Sequence, residues 1–297
     1  MEMENLDTEQ RNQNSLNIDR VSTKEMLRII NEEDKKVAEV VADKIDLISK
    51  AVDLAVKRYR QGGRLIYIGA GTSGRLGFLD AVELVPTYGV SPARTIGLIA
   101  GGSQALIKAV EGAEDSIELA VKDLRSVALT KQDVVIGLAA SGRTPYVAGG
   151  LRYANDKGAL TIAVSCSQNS QISQIAKIGI DVPVGAEVVT GSTRMKAGTA
   201  QKMTINMLST GIMIQLGFVY QNLMINVQPT NHKLVDRGIR IIRDATGVSQ
   251  QAAAKAMHQC GNEVNTAIVM LAKGVSVDTA RNLIAANDGA LAKIIDE

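Results

Sequence analysis

The apolar positions along this chain change rhythm twice. Residues 1 to about 18 are polar and without period, which predicts an irregular arm. Ser22-Thr-Lys-Glu25 has the spacing of a capping box and predicts a helix reaching about Asn31. Val37, Val41, Ile45, Ile48, Val52 and Val56 then recur at three- and four-residue steps, predicting a second helix that ends at Gly62-Gly63. Beyond it, short β-branched runs at Leu65–Ile68, Thr95–Ile99, Val134–Leu138, Leu160–Val164 and Ile178–Val182 alternate with helical stretches. That alternation predicts an α/β fold, a doubly wound, five-stranded parallel sheet covered on both faces. A long helix is expected from Ala197 to Leu216, apolar nearly all round and therefore buried, or set at a subunit contact. From 231 to 297 the pattern predicts four or five short helices broken at Gly247, Gly261, Gly274 and Asn287-Asp288-Gly289. The expected division is a polar arm over 1–20, a main domain over 21–230 and a small all-helical domain over 231–297.

Composition narrows the class. With 45% hydrophobic residues but only 3% aromatic and no Trp, the core must rest on Ala, Val, Ile, Leu and Met. Few aromatics argue against a base-stacking surface. A net charge of +2 gives no pull toward nucleic acid or an anionic membrane. Cys166 and Cys260 are isolated, without metal spacing, and suit buried thiols in a reducing cytoplasm. No signal peptide is expected, and no apolar run approaches the ~20 residues of a membrane span.

The chemistry concentrates where strands give way to helices. Gly69-Ala-Gly-Thr-Ser-Gly-Arg75 follows the first strand and opens a helix, so backbone N–H groups and a positive helix end face one point, a site for an anion. The run satisfies the dinucleotide pattern literally. A ribose-binding carboxylate should then follow about 20 residues on, yet the next strand ends in Ala100-Gly101-Gly102. A Walker A loop fails too, since no Gly-Lys-Ser/Thr follows. Val134–Ala140 leads into a second such loop, Ser141-Gly142-Arg143-Thr144, with Pro145 suited to the first helical turn. A third segment, Thr190–Thr199, gathers hydroxyls with Arg194 and Lys196 ahead of the long helix. Each alone reads equally as an ordinary helix cap. Three on one sheet suit a phosphosugar, one loop taking phosphate and the others hydroxyls.

Two carboxylate sites lie nearby. Glu83, about three turns into the first loop's helix, has apolar neighbours in Val82, Leu84 and Val85, and Pro86 is expected to end that helix. Burial there would raise a carboxyl pKa and favour a proton donor, while the competing reading is a solvated helix-end glutamate. Glu111 and Glu114, three apart, would share a helix face as a helix-start acidic cluster. His232 and His258 fall in the helical tail and form no metal pair.

Thr8-Glu-Gln-Arg-Asn12, Ile18-Asp-Arg-Val-Ser-Thr23, Gly69–Arg75, Ala109-Val-Glu-Gly-Ala-Glu-Asp115, Ala140–Tyr146 and Gly185-Ala-Glu-Val-Val-Thr-Gly-Ser-Thr-Arg-Met-Lys196 carry a resemblance. The chain is similar, nearly end to end, to the N-acetylmuramic acid 6-phosphate etherases, sugar-isomerase (SIS) domain enzymes of cell-wall sugar recycling. SIS proteins that regulate glucokinase share part of the pattern. The resemblance implies a SIS-type fold, a cytoplasmic homodimer, no metal and no cofactor. It also implies cleavage of the ether joining D-lactate to C3 of the phosphosugar by elimination and then hydration. By position, Glu83 would be the acid donating to lactate and Glu114 the base at C2. Gly71, Thr72, Ser73, Ser141, Gly142 and Thr144 would hold the phosphate, with Arg143, Arg194 and Lys196 as candidates for the phosphate or the lactate carboxylate. The family carries Ser-Glu-Cys-Pro-Pro around its acid, whereas this chain has the more apolar Val82-Glu83-Leu84-Val85-Pro86. A phosphosugar isomerase or deaminase, or a non-catalytic phosphosugar sensor, would use the same loops.

Overall fold

In the computed structural model, which describes residues 7–227 and 231–296, the five β-branched runs form strands. They are β1 (Leu65–Gly69), β2 (Thr95–Ile99), β3 (Val134–Ala139), β4 (Leu160–Ser165) and β5 (Ile178–Asp181), all parallel, in the order β2-β1-β3-β4-β5. The inner strands β1, β3 and β4 are buried throughout, and the edge strands β2 and β5 only in part. Burial on both faces is why the inner runs read as continuous apolar segments.

Seven helices accompany the sheet: α1 (Thr23–Ala42), α2 (Ile45–Arg60), α3 (Gly71–Tyr88), α4 (Ile117–Ser126), α5 (Pro145–Asp156), α6 (Gln171–Ile175) and α7 (Lys196–Gln215). Successive side chains of a strand point to opposite faces. Ile66 and Ile68 of β1 join Leu124, Tyr146, Val147 and Leu151 in a core shared with α4 and α5. Tyr67 points the other way, and its hydroxyl donates to Asp80 of α3 at 2.7 Å. The helix that follows β1 thus covers one face, and the helix that follows β3 covers the other. This is the double winding expected. The winding reverses between β1 and β3, and a crevice opens beyond their carboxyl ends, where such sheets bind ligands.

Three expectations need correction. The helix begun at Thr23 continues to Ala42, and the break comes at Asp43-Lys44, inside the predicted second helix. Val41 and Ile45 keep the apolar phase across this two-residue turn, so periodicity does not register it. Pro86 lies within the last turn of α3, which closes at Tyr88 with Gly89 in the left-handed region (φ +67°). The polar arm is irregular but anchored. Asn12 and Ser15 are buried: Asn12 Nδ2 donates to the Ala186 carbonyl at 2.9 Å, and Ser15 Oγ to the Val188 carbonyl at 2.8 Å.

The described chain divides into two units, one of residues up to Val82 with Ala93–Ser209, the other of Glu83–Pro92 with residues from Thr210. The boundary expected at 230/231 falls beside residues 228–230, outside those described. The second unit holds a short antiparallel hairpin, β6 (Val219–Tyr220) and β7 (Leu223–Met224), which the sequence pattern did not suggest. Its five helices are α8 (His232–Thr246), α9 (Gln250–Gln259), α10 (Val264–Lys273), α11 (Val277–Ala286) and α12 (Leu291–Ile295), around Ile241, Ile242, Met257, Ile268 and Leu291. Gly247 and Gly274 cap α8 and α10 in the left-handed region, at two of the predicted breaks. No described helix is long and apolar enough to cross a membrane.

One buried ion pair ties the first unit together. Glu33 of α1 meets Lys196 at the start of α7, Nζ to Oε2 2.6 Å, with both side chains under 5% exposed. Asn12, Asn14 and Lys36 complete the carboxylate's partners. Burial alone would raise the Glu33 pKa, but the bonds from Lys196, Lys36, Asn14 and Asn12 outweigh it and hold the carboxyl at about 2, against an ordinary 4.5. A pKa depressed in the folded state contributes stability above pH 4.5 that is lost as pH falls toward 2. We expect about 3 kcal/mol of unfolding free energy to disappear across that window, as measured by urea denaturation at stepped pH. Glu33→Gln should flatten that slope and lower stability at pH 7 by about 3–5 kcal/mol, since Lys196 is left buried and unpaired.

Candidate active site

One residue, Ala70, separates β1 from α3. So tight a turn needs small residues: a Cβ on Gly74 would stand 2.6 Å from Ile99 Cγ1 and 2.7 Å from the Gly69 carbonyl oxygen. The N–H groups of Gly71, Thr72 and Ser73, in the first turn of α3, have no acceptor one turn back. The hydroxyls behave differently from expectation. Ser73 is buried and donates to Gln201 Oε1 of α7 at 2.8 Å, so its proton is engaged within the protein. The Thr72 methyl faces the start of α7, 3.7 Å from where a Cβ on Gly198 would stand.

The loop after β3 is held more tightly. Gly142 takes φ +69°, and a Cβ there would stand 2.3 Å from Ser170 Cβ, so only glycine fits. Its carbonyl accepts from Ile172 N at 3.0 Å, pinning the loop to the start of α6. That start is itself held by Asp181 at the end of β5, which accepts from the hydroxyls of Ser165 (2.6 Å), Ser170 (2.9 Å) and Ser173 (2.6 Å). Thr144 makes no side-chain cap, and Pro145 takes the first helical position as predicted. Nη1 of Arg143 is shielded from solvent and has no hydrogen-bond partner among the described residues. Ser141 Oγ accepts from Arg143 N at 3.4 Å, which leaves its proton free, and guanidinium and hydroxyl donors are matched chemically to an oxyanion.

Two clefts open at the crevice. One, of about 210 Å³, is lined by Gly71, Arg75, Ala100, Glu111, Gly112 and Glu114 among others. The second, of about 350 Å³, is lined by Glu9, Glu114, Asp115, Ser141, Arg143, Thr144 and Pro145. Glu114 is common to both and so stands between the glycine turn after β1 and the hydroxyl loop after β3. It does not share a helix face with Glu111. Glu111 lies in a turn, Gly112 adopts φ +71°, and Glu114 falls in a 3-10 turn (Ala113–Asp115) ahead of the Ser116 cap of α4.

The chain is 56% identical to the N-acetylmuramic acid 6-phosphate etherase of Lactobacillus gasseri, over 100% of both chains. It is 53% identical to that of Clostridium beijerinckii, over 100% of this chain and 98% of the relative. The chain belongs to the N-acetylmuramic acid 6-phosphate etherase family. Family models for the glucokinase regulatory protein N-terminal SIS domain and for the SIS domain match residues 47–155 and 116–211. The fold is shared with a phosphoheptose isomerase from Francisella tularensis (16% identity, 66% of this chain and 100% of that one, TM-score 0.50). It is also shared with a candidate phosphosugar isomerase involved in capsule formation from Bacteroides fragilis (22% identity, 66% and 94%, TM-score 0.51).

Glu83, Arg194 and Lys196 are not among the residues that line these clefts. Glu83 is exposed, and so is Val82 beside it, at 49%. The helical repeat explains why the expected apolar burial is missing: Ala81, Leu84 and Tyr88 turn inward, while Leu79, Val82, Glu83 and Pro86 share the outer face. Arg194 is exposed and lines neither cleft. The Lys196 ammonium is buried on Glu33 Oε2 at 2.6 Å. Glu187, which sequence reasoning passed over, caps α7 by accepting from the N–H groups of Lys196 (3.0 Å) and Ala197 (2.9 Å). Burial pushes its carboxyl pKa up against those two bonds. Both cysteines are buried, and burial, with Glu187 and Asp181 nearby, drives the Cys166 thiol far above its ordinary range. In the second unit, α8 presents a cleft of about 300 Å³ with Lys233, Arg237, Arg240 and Arg243, which offers charge without a hydroxyl or a glycine turn.

Gly142→Ala tests the loop after β3. Left-handed strain and the contact with Ser170 should together lower stability by about 2–4 kcal/mol. Binding of inorganic phosphate, followed by calorimetry on the folded variant, should weaken as well. Wild-type binding would show that the loop takes no anion.

Proposed function

We propose that this chain cleaves the ether between D-lactate and C3 of N-acetylmuramic acid 6-phosphate, releasing D-lactate and N-acetylglucosamine 6-phosphate. It would act in the cytoplasm on recycled cell-wall sugar. What supports this reading is the position of Glu114, on the wall shared by two clefts, one of which is also lined by Ser141, Arg143 and Thr144.

A phosphate gripped there fixes one end of the sugar. With the ring open, the C1 aldehyde acidifies the proton on C2, and the Glu114 carboxylate removes it. The freed electron pair forms a C2–C3 double bond as the C3–O bond breaks. Glu83, by its position in the family pattern, gives a proton to the departing lactate oxygen. Water then adds across the double bond: its OH goes to C3, its remaining proton to the Glu83 carboxylate, and Glu114 returns to C2 the proton it took. Atoms balance without an oxidant or reductant. We assign the exposed face that carries Glu83 to a contact with a second copy of the chain, because Leu79 (44% exposed) and Val82 (49%) give that face an apolar surface suited to a homodimer.

Incubation of the folded protein with N-acetylmuramic acid 6-phosphate should release D-lactate, read by a lactate dehydrogenase assay. A general acid or base contributes about 10²–10⁴ in rate, so Glu114→Gln and Glu83→Gln should each lower kcat by that order while melting normally. No lactate from well-folded wild type would refute the reading. Tight phosphosugar binding without turnover would replace it with a sensor.

A further inference from the structure

The second cleft has two unlike walls. Ser141, Arg143 and Thr144 supply hydroxyls and a cation, whereas Glu9, Glu114 and Asp115 supply carboxylates. A phosphate is repelled by the second wall and held by the first. What faces the acidic wall must therefore be the uncharged part of the ligand, and a carboxylate offers that part only acceptors.

Glu9 comes from the N-terminal arm, which the polar pattern alone presents as an appendage. Its place is nevertheless fixed on both sides. Thr8 before it is 1% exposed, and Asn12 after it is buried on Glu33 and the Ala186 carbonyl. The Glu9 carboxylate also lies over the third loop. A Cβ on Gly191, itself at φ +74°, would stand 3.3 Å from Glu9 Oε2. Glu9 thus stands where the hydroxyl loop after β3 and the segment ahead of α7 meet, on a backbone already ordered before any ligand arrives. Preorganisation of this kind reduces the cost of ordering on binding.

We propose that Glu9 is a substrate-binding residue that accepts a hydrogen bond from a neutral donor of the sugar, a hydroxyl or the acetamido N–H. It sets the preference for a phosphosugar over a bare phosphate. This rests on the phosphosugar reading above, and Asn12 serves it as a positioning residue.

The test is calorimetric titration of wild type, Glu9→Ala, Glu9→Gln and Asn12→Ala with N-acetylglucosamine 6-phosphate, glucose 6-phosphate and inorganic phosphate. A hydrogen bond to a charged acceptor predicts that Glu9→Ala weakens N-acetylglucosamine 6-phosphate about tenfold or more. Glu9→Gln, which keeps an acceptor oxygen, should recover part of that loss. Inorganic phosphate should bind Glu9→Ala as well as wild type or better, because a like charge is gone. Asn12→Ala should follow Glu9→Ala, with a melting curve taken alongside. A loss confined to the N-acetyl sugar assigns the acetamido N–H, and a loss for both sugars assigns a hydroxyl. Equal sugar affinity in wild type and Glu9→Ala overturns the proposal and leaves the etherase reading intact. An equal loss for inorganic phosphate also overturns it, by showing damage to the anion loop. Wild type that binds none of the sugars overturns both readings together.

Discussion

The functional crevice exists because two helices leave one sheet in opposite directions. β1 and β3 lie side by side, but α3 follows the first onto the Tyr67 face and α5 follows the second onto the Ile66 and Ile68 face. Beyond the ends of the two strands a crevice opens, where sheets of this kind bind ligands. Close packing elsewhere in the sheet enforces the arrangement. Gly137 in β3 leaves no room above it, since a Cβ would stand 2.8 Å from Val147 Cγ1 of α5. The sheet therefore does more than support the site. Its winding order determines where the crevice opens.

Around that crevice, the segments without regular structure are held by buried polar groups, with little apolar packing of their own. Glu33 gathers Lys196, Asn12 and Asn14, so helix α1, the arm and the start of α7 share one carboxylate. Glu187 holds the same helix start from the other side. Asp181 does similar work for the loop that supports Gly142. Each carboxylate accepts from more than one donor, and for the buried Glu33 and Glu187 that is the condition under which a buried polar group specifies a single arrangement. Such anchoring fixes the backbone of the loop through residues outside it.

The strands, their parallel pairing and the helical tail were legible because inner strands carry unbroken β-branched runs and the tail's helices stop at glycines. What escaped the pattern did so for definite reasons. The turn at Asp43-Lys44 preserves apolar phase, and the Val219–Met224 hairpin is too short to show alternation. Lys196 sits in a hydroxyl-rich motif that looks like a ligand loop, yet its partner lies 163 residues away on α1, a distance no local spacing reveals. Glu9 and Asn12 give no signal in the apolar pattern, since an arm anchored by amide and hydroxyl bonds leaves no hydrophobic trace. Among the family-pattern residues, Glu114, Gly71, Ser141, Arg143 and Thr144 line the clefts, while Glu83 presents itself on an outward helix face.

A crystal structure with N-acetylglucosamine 6-phosphate bound tests the central claim most directly. The account predicts phosphate oxygens within hydrogen-bond distance of the Ser141 and Thr144 hydroxyls and of Arg143 Nη1, with C2 of the sugar beside the Glu114 carboxylate. A phosphate lodged elsewhere, for instance among the arginines of α8, or a Glu114 turned away from the sugar, would contradict it.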